Sequence, residues 1–155
     1  MEIRDAHADD APAACEVMRR SIAELCAADH GNDPTLLARW LANKTPETVA
    51  VWIVQPGNSL LLAVEDGAVL AVGSVTDVGE ITLNYVSPDA RFRGISRSLV
   101  QALEARAIAR GCTGFMLTST ETARRFYRSA GYVETAAPVV TFGMRGYPMA
   151  KRRIG

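Results

Sequence analysis

The chain has 155 residues, of which 48% are hydrophobic and 22% charged, with 17 basic side chains against 17 acidic ones. This composition is that of an ordinary globular protein and excludes intrinsic disorder as the default state. A chain of this length buries roughly 70% of the surface that its unfolded form exposes, so its core needs neither disulfides nor a structural metal. We therefore expect a single domain over residues 1–155.

Metal binding and membrane insertion are both disfavoured by the sequence. The three cysteines have no CxxC spacing, and the two histidines lie far from any second ligand pair, so we expect no metal. The longest apolar runs, at residues 49–54 and 60–64, are far shorter than the roughly 20 residues of a membrane span. The acidic N-terminus lacks the pattern of a secretory signal, which together with the unpaired cysteines predicts a cytoplasmic protein without a membrane partner.

The balanced net charge hides an asymmetry between the two halves of the chain. Residues 1–90 contain five basic and 14 acidic side chains, whereas residues 91–155 contain 12 basic side chains, 11 of them arginine, and three acidic ones. The second half therefore suits an anion. It has no lysine-rich tail and lacks the aromatic spacing of an RNA-binding sheet, so a small polyanionic ligand fits better than nucleic acid. Neutralisation of one half by the other is the alternative.

The first half is predicted to begin with helices. After a short strand at residues 3–5, a helix starts near Pro12 and ends at Gly31. Its apolar residues recur at three- and four-residue spacing, namely Cys15, Met18, Ile22 and Leu25. Pro34 opens a second helix. Residues 46–54 combine a helix-like start with a strand-like composition, and we predict a helix there.

From Pro56 onward the pattern changes to strands. Residues 60–64 and 69–76 predict a β-hairpin, and a third strand spans residues 80–86. Further elements, in the order helix, strand, short helix, strand and strand, are predicted over residues 95–110, 115–118, 121–130, 132–135 and 139–144. Thr118 and Glu121 have the spacing of a capping box for the short helix. The order is that of an α/β sheet with a strand–helix–strand crossover at its centre.

The most informative stretch is the turn between the strand at 80–86 and the helix that follows. Two small residues, Gly94 and Ser96, stand at the helix start, where backbone N–H groups lack partners and can bind a pyrophosphate. Nearby positive charge comes from Arg91, Arg93 and Arg97. A plain connection is the alternative. The patterns GxGxxG and GxxxxGK[ST] are absent, which counts against a Rossmann dinucleotide site and a P-loop.

Two blocks of the sequence resemble the GNAT superfamily of acyl-CoA-dependent N-acetyltransferases. The first runs from Glu80 to Ser96 and matches the pattern ExxxxxVxPxxR followed by [Q/R]xxGx[G/A], with Ser96 departing at the last position. The second, an alanine followed by FYxxxGF, includes Phe126, Tyr127 and Gly131. The resemblance covers about residues 58–152. It implies a mixed, mostly antiparallel sheet with a splayed parallel central pair and helices on both faces.

The resemblance also implies acetyl-CoA as the acyl donor. The backbone of Asn84, Tyr85 and Val86 would hydrogen-bond the pantetheine arm like an added strand, and one of these amides would stabilise the oxyanion. Further cofactor contacts are implied for Arg91, Phe92, Arg93, Gly94, Ile95, Ser96, Arg97, Ser119 and Arg124. Ser119 could instead cap the following helix, and Arg124 could belong to a solvated helix face.

Two residues are implied in the chemistry. Tyr127 would give a proton to the departing CoA thiolate as general acid, with simple core packing as its alternative. Glu80 would act as general base, directly or through a water, because an ammonium substrate must lose a proton; a surface carboxylate at a strand end is the alternative. The implied reaction is direct attack of an amine on acetyl-CoA in a ternary complex. A non-catalytic acyl-CoA-binding sensor or regulatory module is the alternative function.

The acceptor is the least determined part of the prediction. A small-molecule amine or a peptide amine fits the family, and no nucleic acid is expected as a partner. Three acidic residues in the region predicted to bind the acceptor, Glu24, Asp29 and Asp33, slightly favour a cationic acceptor, although a surface role explains them equally well. Homodimers are frequent in the family, often through the C-terminal strands, so the resemblance leaves a homodimer open.

Overall fold

The computed structural model describes residues 1–154, which form helices and strands in nearly the predicted order. The helices are α1 (Ala11–Leu25), α2 (Ala27–His30), α3 (Pro34–Leu41), α4 (Pro46–Val54), α5 (Ile95–Ala109) and α6 (Arg124–Ser129). The strands are β1 (Glu2–Asp5), β2 (Asn58–Glu65), β3 (Ala68–Thr76), β4 (Ile81–Val86), β5 (Gly114–Ser119), β6 (Val133–Glu134), β7 (Val139–Thr141) and β8 (Met144–Arg152).

The strands form two antiparallel groups that meet at a single point. One group has the order β1-β2-β3-β4 and the other β5-β8-β6, with β7 pairing to β8. Between the groups, Glu80 forms a parallel bridge with Met116, whose N–H donates to the Gly79 carbonyl at 3.0 Å. Within residues 1–154 no further pairing joins β4 to β5. The two parallel strands therefore separate after the bridge, which confirms the predicted splayed central pair.

Helices cover both faces of the first group of strands because its side chains alternate between them. On one face Leu99 and Leu103 of α5 belong to the same core as Ala71 and Val75. A Cβ atom at Gly73 would lie 2.9 Å from Leu103 Cδ1, so the small residue allows α5 to approach β3 closely. On the other face, buried side chains of α1 and α4 cover β2 and β3, among them Met18, Val49, Leu62 and Val72.

Local signals explain where the helices in the first half begin and end. Residues 46–54 form the predicted helix, with the Thr45 side chain accepting from the Thr48 N–H and Pro46 at the first position. The helix expected to run to Gly31 instead stops at Leu25 and continues as the short α2. Gly31 ends α2 in the left-handed conformation, with φ of 58°.

Two predictions for the C-terminal part were wrong in detail. The capping box does not form, because Thr118 lies inside β5 and pairs with Pro148; the Ala123 N–H donates instead to Thr120 Oγ1 at 3.1 Å. The helix therefore spans Arg124–Ser129 rather than 121–130. The predicted strand at 139–144 is a hairpin, since Phe142 and Gly143 turn the chain with φ of 54° and 80°.

Neither a membrane span nor a metal cluster occurs in the part of the chain that the structure describes. No helix there is long and apolar enough to cross a membrane. No group of three or more histidine, cysteine, aspartate or glutamate side chains is arranged to hold a metal ion.

Candidate active site

The opening between β4 and β5 forms a cavity of about 540 Å³. Its walls are β4, the turn at residues 90–97, the end of β5 and the start of α6, and the end of α1 closes one side. Three arginines, Arg91, Arg93 and Arg97, are the charged side chains that line it within the described chain. A deep cleft with positive charge at one end suits an elongated anionic ligand.

The first turn of α5 presents free backbone donors at the arginine end. Gly94 precedes the helix in the left-handed conformation, with φ of 74°, and its carbonyl accepts the Ser98 N–H at 3.1 Å. The N–H groups of Ile95, Ser96 and Arg97 find no acceptor among residues 1–154. Because these donors lie at the positive end of a 15-residue helix, they can hold phosphate oxygens, as the sequence predicted for this turn.

The three arginines differ in how far their charge is already compensated. Arg93 Nη2 pairs with Glu65 Oε2 at 2.7 Å, outside the turn. Arg97 donates to Ser129 Oγ at 2.9 Å, which is an uncharged partner. The Arg91 guanidinium lies 4.5 Å from the centre of the Phe92 ring, and no described carboxylate lies within 4 Å of it. The charges of Arg91 and Arg97 are therefore available to pair with a ligand anion, whereas Arg93 already pairs with Glu65.

Tyr127 lies in α6 and is one of the residues that line the cavity. Its side chain is only 6% exposed, and its Oη accepts a hydrogen bond from Asn84 Nδ2 at 3.1 Å. Burial raises the pKa of Tyr127 to about 12, because the phenolate would be poorly solvated. The hydroxyl is thus protonated at neutral pH. Since Asn84 is the donor, the tyrosine keeps its own hydrogen for another acceptor, as a general acid requires.

Tyr127 also serves the packing role that was its alternative. Its ring meets Phe126 and Tyr132 edge-on, with centroids 5.2 and 5.6 Å apart. It belongs to the core cluster formed with α5 and β5. Packing therefore holds the ring of a residue that also lines the cavity, so a core role and a chemical role for Tyr127 are compatible.

The strand β4 supplies the wall expected to bind the cofactor. Asn84, Tyr85 and Val86 pair with β3 on one side and line the cavity on the other, where no described strand covers them. The Tyr85 hydroxyl accepts from Trp40 Nε1 at 3.3 Å, and burial raises the pKa of Tyr85 above its ordinary value. A register shift at Thr82 opposite Ser74 and Val75 marks a β-bulge in this strand, which turns its free edge toward the cavity.

Glu80 is not brought together with Tyr127. It is exposed at the closed end of the two splayed strands, where its backbone bridges Met116 and its N–H donates to Thr76 Oγ1 at 3.1 Å. The residues that line the cavity do not include it. Glu80 therefore has no direct route to a reacting amine in this structure.

Ser119 and Arg124 likewise lie outside the lining. Ser119 is buried and donates to the Thr120 carbonyl at 2.8 Å, so it does not cap α6 either. Arg124 pairs with Glu134 at 2.7 Å and lies 3.7 Å above the Tyr147 ring. Both side chains are occupied by protein contacts.

The acidic residues predicted to favour a cationic acceptor all have structural partners. Glu24 pairs with Arg20 at 2.9 Å, and Asp33 accepts the first N–H groups of α3. Asp29 accepts the N–H groups of Glu121 and Thr122 at 2.7 and 3.2 Å. The expectation drawn from their charge is therefore not supported, because each carboxylate has a protein partner and none lines the cavity.

Sequence reasoning missed the residues that close the cavity on the α1 side. Leu25 and Cys26 line it at the junction of α1 and α2, and Thr122 lines it from the loop before α6. Their only sequence signal is the end of the apolar helical pattern near Leu25. Position in the fold, rather than a motif, brings them to the site.

Comparisons with known proteins agree with this geometry. A family model described as an acetyltransferase (GNAT) domain matches residues 26–153. A GCN5-related N-acetyltransferase from Rhodopseudomonas palustris is 25% identical, covers 98% of this chain and 95% of its own, and superimposes with a TM-score of 0.87. The chain therefore belongs to the GNAT family of acetyltransferases, and is an acyltransferase.

More distant structures share the fold. The PaiA N-acetyltransferase from Thermoplasma acidophilum, solved in complex with coenzyme A, is 17% identical over 98% of both chains, with a TM-score of 0.83. An aminoglycoside 6′-N-acetyltransferase complexed with coenzyme A is 14% identical over 100% of this chain and 98% of its own, with a TM-score of 0.75. The curated proteins contain no match to the sequence.

Proposed function

We propose that this protein transfers the acetyl group of acetyl-CoA to a primary amine by direct attack in a ternary complex. The observation that carries the proposal is the placement of two features in one cavity. Ile95, Ser96 and Arg97, whose N–H groups have no acceptor, line one part of it, and Tyr127, whose hydroxyl is protonated, lines another. The N–H groups can bind the pyrophosphate, and the tyrosine can donate a proton to the thiolate that leaves the thioester.

The donor is held by groups that the fold leaves without partners. The pyrophosphate binds the first turn of α5, with Arg91 and Arg97 balancing its charge. The pantetheine arm lies along the free edge of β4, at Asn84, Tyr85 and Val86, as an added strand would. Two of the structural neighbours were solved with coenzyme A, which supports the choice of donor.

The chemistry needs one bond to form and one to break. The amine nitrogen attacks the thioester carbon, a β4 backbone N–H stabilises the oxyanion, and the C–S bond then breaks with its electron pair on sulfur. Tyr127 gives its hydroxyl proton to the thiolate and regains one from water. The nitrogen loses its extra proton to water in the cavity, and Glu80 assists only through water because it lies outside the lining.

The acceptor is a small-molecule amine or a peptide amine. The cavity wall on the α1 side contains the neutral side chains of Leu25, Cys26 and Tyr85, and the charged lining residues are all arginines. A multiply charged cation would meet no carboxylate in the described lining and would be repelled. This environment supports an acceptor that enters with its reacting nitrogen uncharged.

The proposal competes with a non-catalytic acyl-CoA-binding module, and one pair of measurements separates them. Calorimetric titration is expected to show micromolar binding of acetyl-CoA, weakened when 3′-dephospho-acetyl-CoA is used instead. Thiol release from acetyl-CoA is then measured with tyramine, spermidine and a tripeptide as acceptors. Binding without release from any amine would favour the module, and no binding at millimolar acetyl-CoA would overturn both.

A further inference from the structure

One polar atom in the wall of the cavity is buried and has no hydrogen-bond partner. Asn84 Oδ1 is buried and accepts no hydrogen bond, and it is the one buried side-chain nitrogen or oxygen within residues 1–154 in that state. The nitrogen of the same side-chain amide, Nδ2, donates to Tyr127 Oη at 3.1 Å. The whole carboxamide is therefore oriented by one hydrogen bond and incomplete at its other end.

An unsatisfied buried oxygen is costly, and a functional role such as binding a ligand group is one reason for a protein to keep it. The carboxamide oxygen only accepts hydrogen bonds, so the ligand must bring an N–H or O–H donor. Asn84 lines the cavity beside Tyr127, the group that serves the leaving thiolate. A donor that reaches Oδ1 is therefore next to the reacting thioester.

We propose that Asn84 Oδ1 accepts a hydrogen bond from the attacking amine nitrogen, while Asn84 Nδ2 positions the hydroxyl of Tyr127. This inference rests on the proposed acetyl transfer and assigns the acceptor nitrogen a binding group on β4. One rigid amide group then holds the nucleophile and the general acid at a fixed separation.

The hydrogen bond strengthens as the reaction proceeds. The nitrogen gains positive charge when its lone pair forms the bond to the thioester carbon, so its N–H becomes a stronger donor to Oδ1. No covalent bond to Asn84 forms, and the nitrogen proton still leaves to water.

The test compares three variants by thiol release with tyramine and a tripeptide and by calorimetric acetyl-CoA binding. Asn84→Ala removes both hydrogen bonds. Asn84→Asp keeps an oxygen for the amine but cannot donate to Tyr127. Ser74→Ala is the matched control, because it removes a buried hydroxyl contact to Thr82 in the same pair of strands, and Ser74 does not line the cavity.

We expect Asn84→Ala to lower kcat/KM for the amine about tenfold or more and to leave the acetyl-CoA Kd within threefold. Asn84→Asp is expected to restore the amine KM to within threefold of wild type while kcat stays low. Ser74→Ala should change neither constant. Rescue of KM but not kcat by the carboxylate is a result that a merely structural asparagine would not produce.

Two results would overturn the inference. If Asn84→Ala weakens acetyl-CoA binding and leaves the amine KM unchanged, Oδ1 receives a pantetheine N–H instead. If neither the amine KM nor the acetyl-CoA Kd changes in Asn84→Ala, Oδ1 binds no group of either substrate. If Asn84→Ala does not fold, the Asn84→Asp variant provides the test by itself. An amine KM raised tenfold in that variant would contradict hydrogen bonding of the amine to residue 84. Failure of the acetyl transfer itself would already be visible in the wild type, as absence of thiol release with every amine.

Discussion

The carboxylate of Asp29 holds the loop that precedes the tyrosine helix, through hydrogen bonds from Thr122. Its oxygens accept the Thr122 N–H at 3.2 Å and the Glu121 N–H at 2.7 Å, and the Thr122 hydroxyl donates as well. The contact joins α2 to Glu121 and Thr122, which follow Asp29 in the chain by 92 and 93 positions. It therefore ties the N-terminal helices to the loop before α6, the helix that carries Tyr127.

We expect Asp29→Ala to lower the free energy of unfolding by about 1 kcal/mol, since it removes three hydrogen bonds to a carboxylate whose exposed donors can turn to water. Urea denaturation measures the loss. Glu24→Ala provides the control: it breaks only an exposed i,i+4 pair with Arg20, for which a loss of about 0.5 kcal/mol or less is expected. Equal losses in the two variants would show that the Asp29 hydrogen bonds stabilise the fold no more than an exposed ion pair does.

Tyr127→Phe is expected to retain the fold and acetyl-CoA affinity but to lower turnover at least about tenfold, because the thiolate loses its proton donor. Steady-state kinetics measure the turnover of the variant, and calorimetry on the same preparation measures its affinity for acetyl-CoA. Glu80→Gln is the companion variant, and a decrease of threefold or less is expected because Glu80 is exposed outside the cavity. Unchanged turnover in Tyr127→Phe would remove the tyrosine from the mechanism.

Arg91→Ala and Arg93→Ala test which charge serves the donor. Arg91 has no described carboxylate partner, so its loss is expected to weaken acetyl-CoA binding about tenfold, which corresponds to about 1.4 kcal/mol. Arg93 already pairs with Glu65, and its loss should change the Kd by threefold or less. Calorimetric titration at two salt concentrations distinguishes the two. A larger effect for Arg93 would mean that the pair with Glu65 opens when acetyl-CoA binds.

The ion pair between Arg4 and Asp10 predicts a pH dependence of stability. The Arg4 guanidinium donates to both carboxylate oxygens, at 2.9 and 3.1 Å, and lowers the pKa of Asp10 from 3.8 to about 2. A depressed folded-state pKa contributes stability that is present above pH 4 and is lost as the pH falls toward 2. Wild type and Asp10→Asn should therefore differ in unfolding free energy near pH 6 and converge near pH 2. A constant difference across this range would contradict the pairing.

Local signals in the sequence determined most of the secondary structure and the identity of the fold. Gly94, the arginines around it and the apolar spacing of α5 act over a few residues, so the turn before α5 could be recognised as a candidate anion-binding turn without tertiary information. The same holds for the helix at Pro46–Val54, whose cap and first proline are adjacent in sequence. The FY pair at Phe126 and Tyr127 placed the candidate acid in the family pattern.

Contacts between distant residues could not be read in this way. Asn84 and Tyr127 are 43 residues apart, and only the folded chain brings the Asn84 amide nitrogen within hydrogen-bonding distance of the Tyr127 hydroxyl. The sequence shows the charge of Asp29 but not its partners, which are N–H groups of the loop before α6. Glu80 has a family motif's spacing, yet the strand pair closes beside it and leaves it exposed. Sequence patterns record local conformation, whereas partner choice depends on which surfaces the folded sheet brings together, and that is decided only by the tertiary structure.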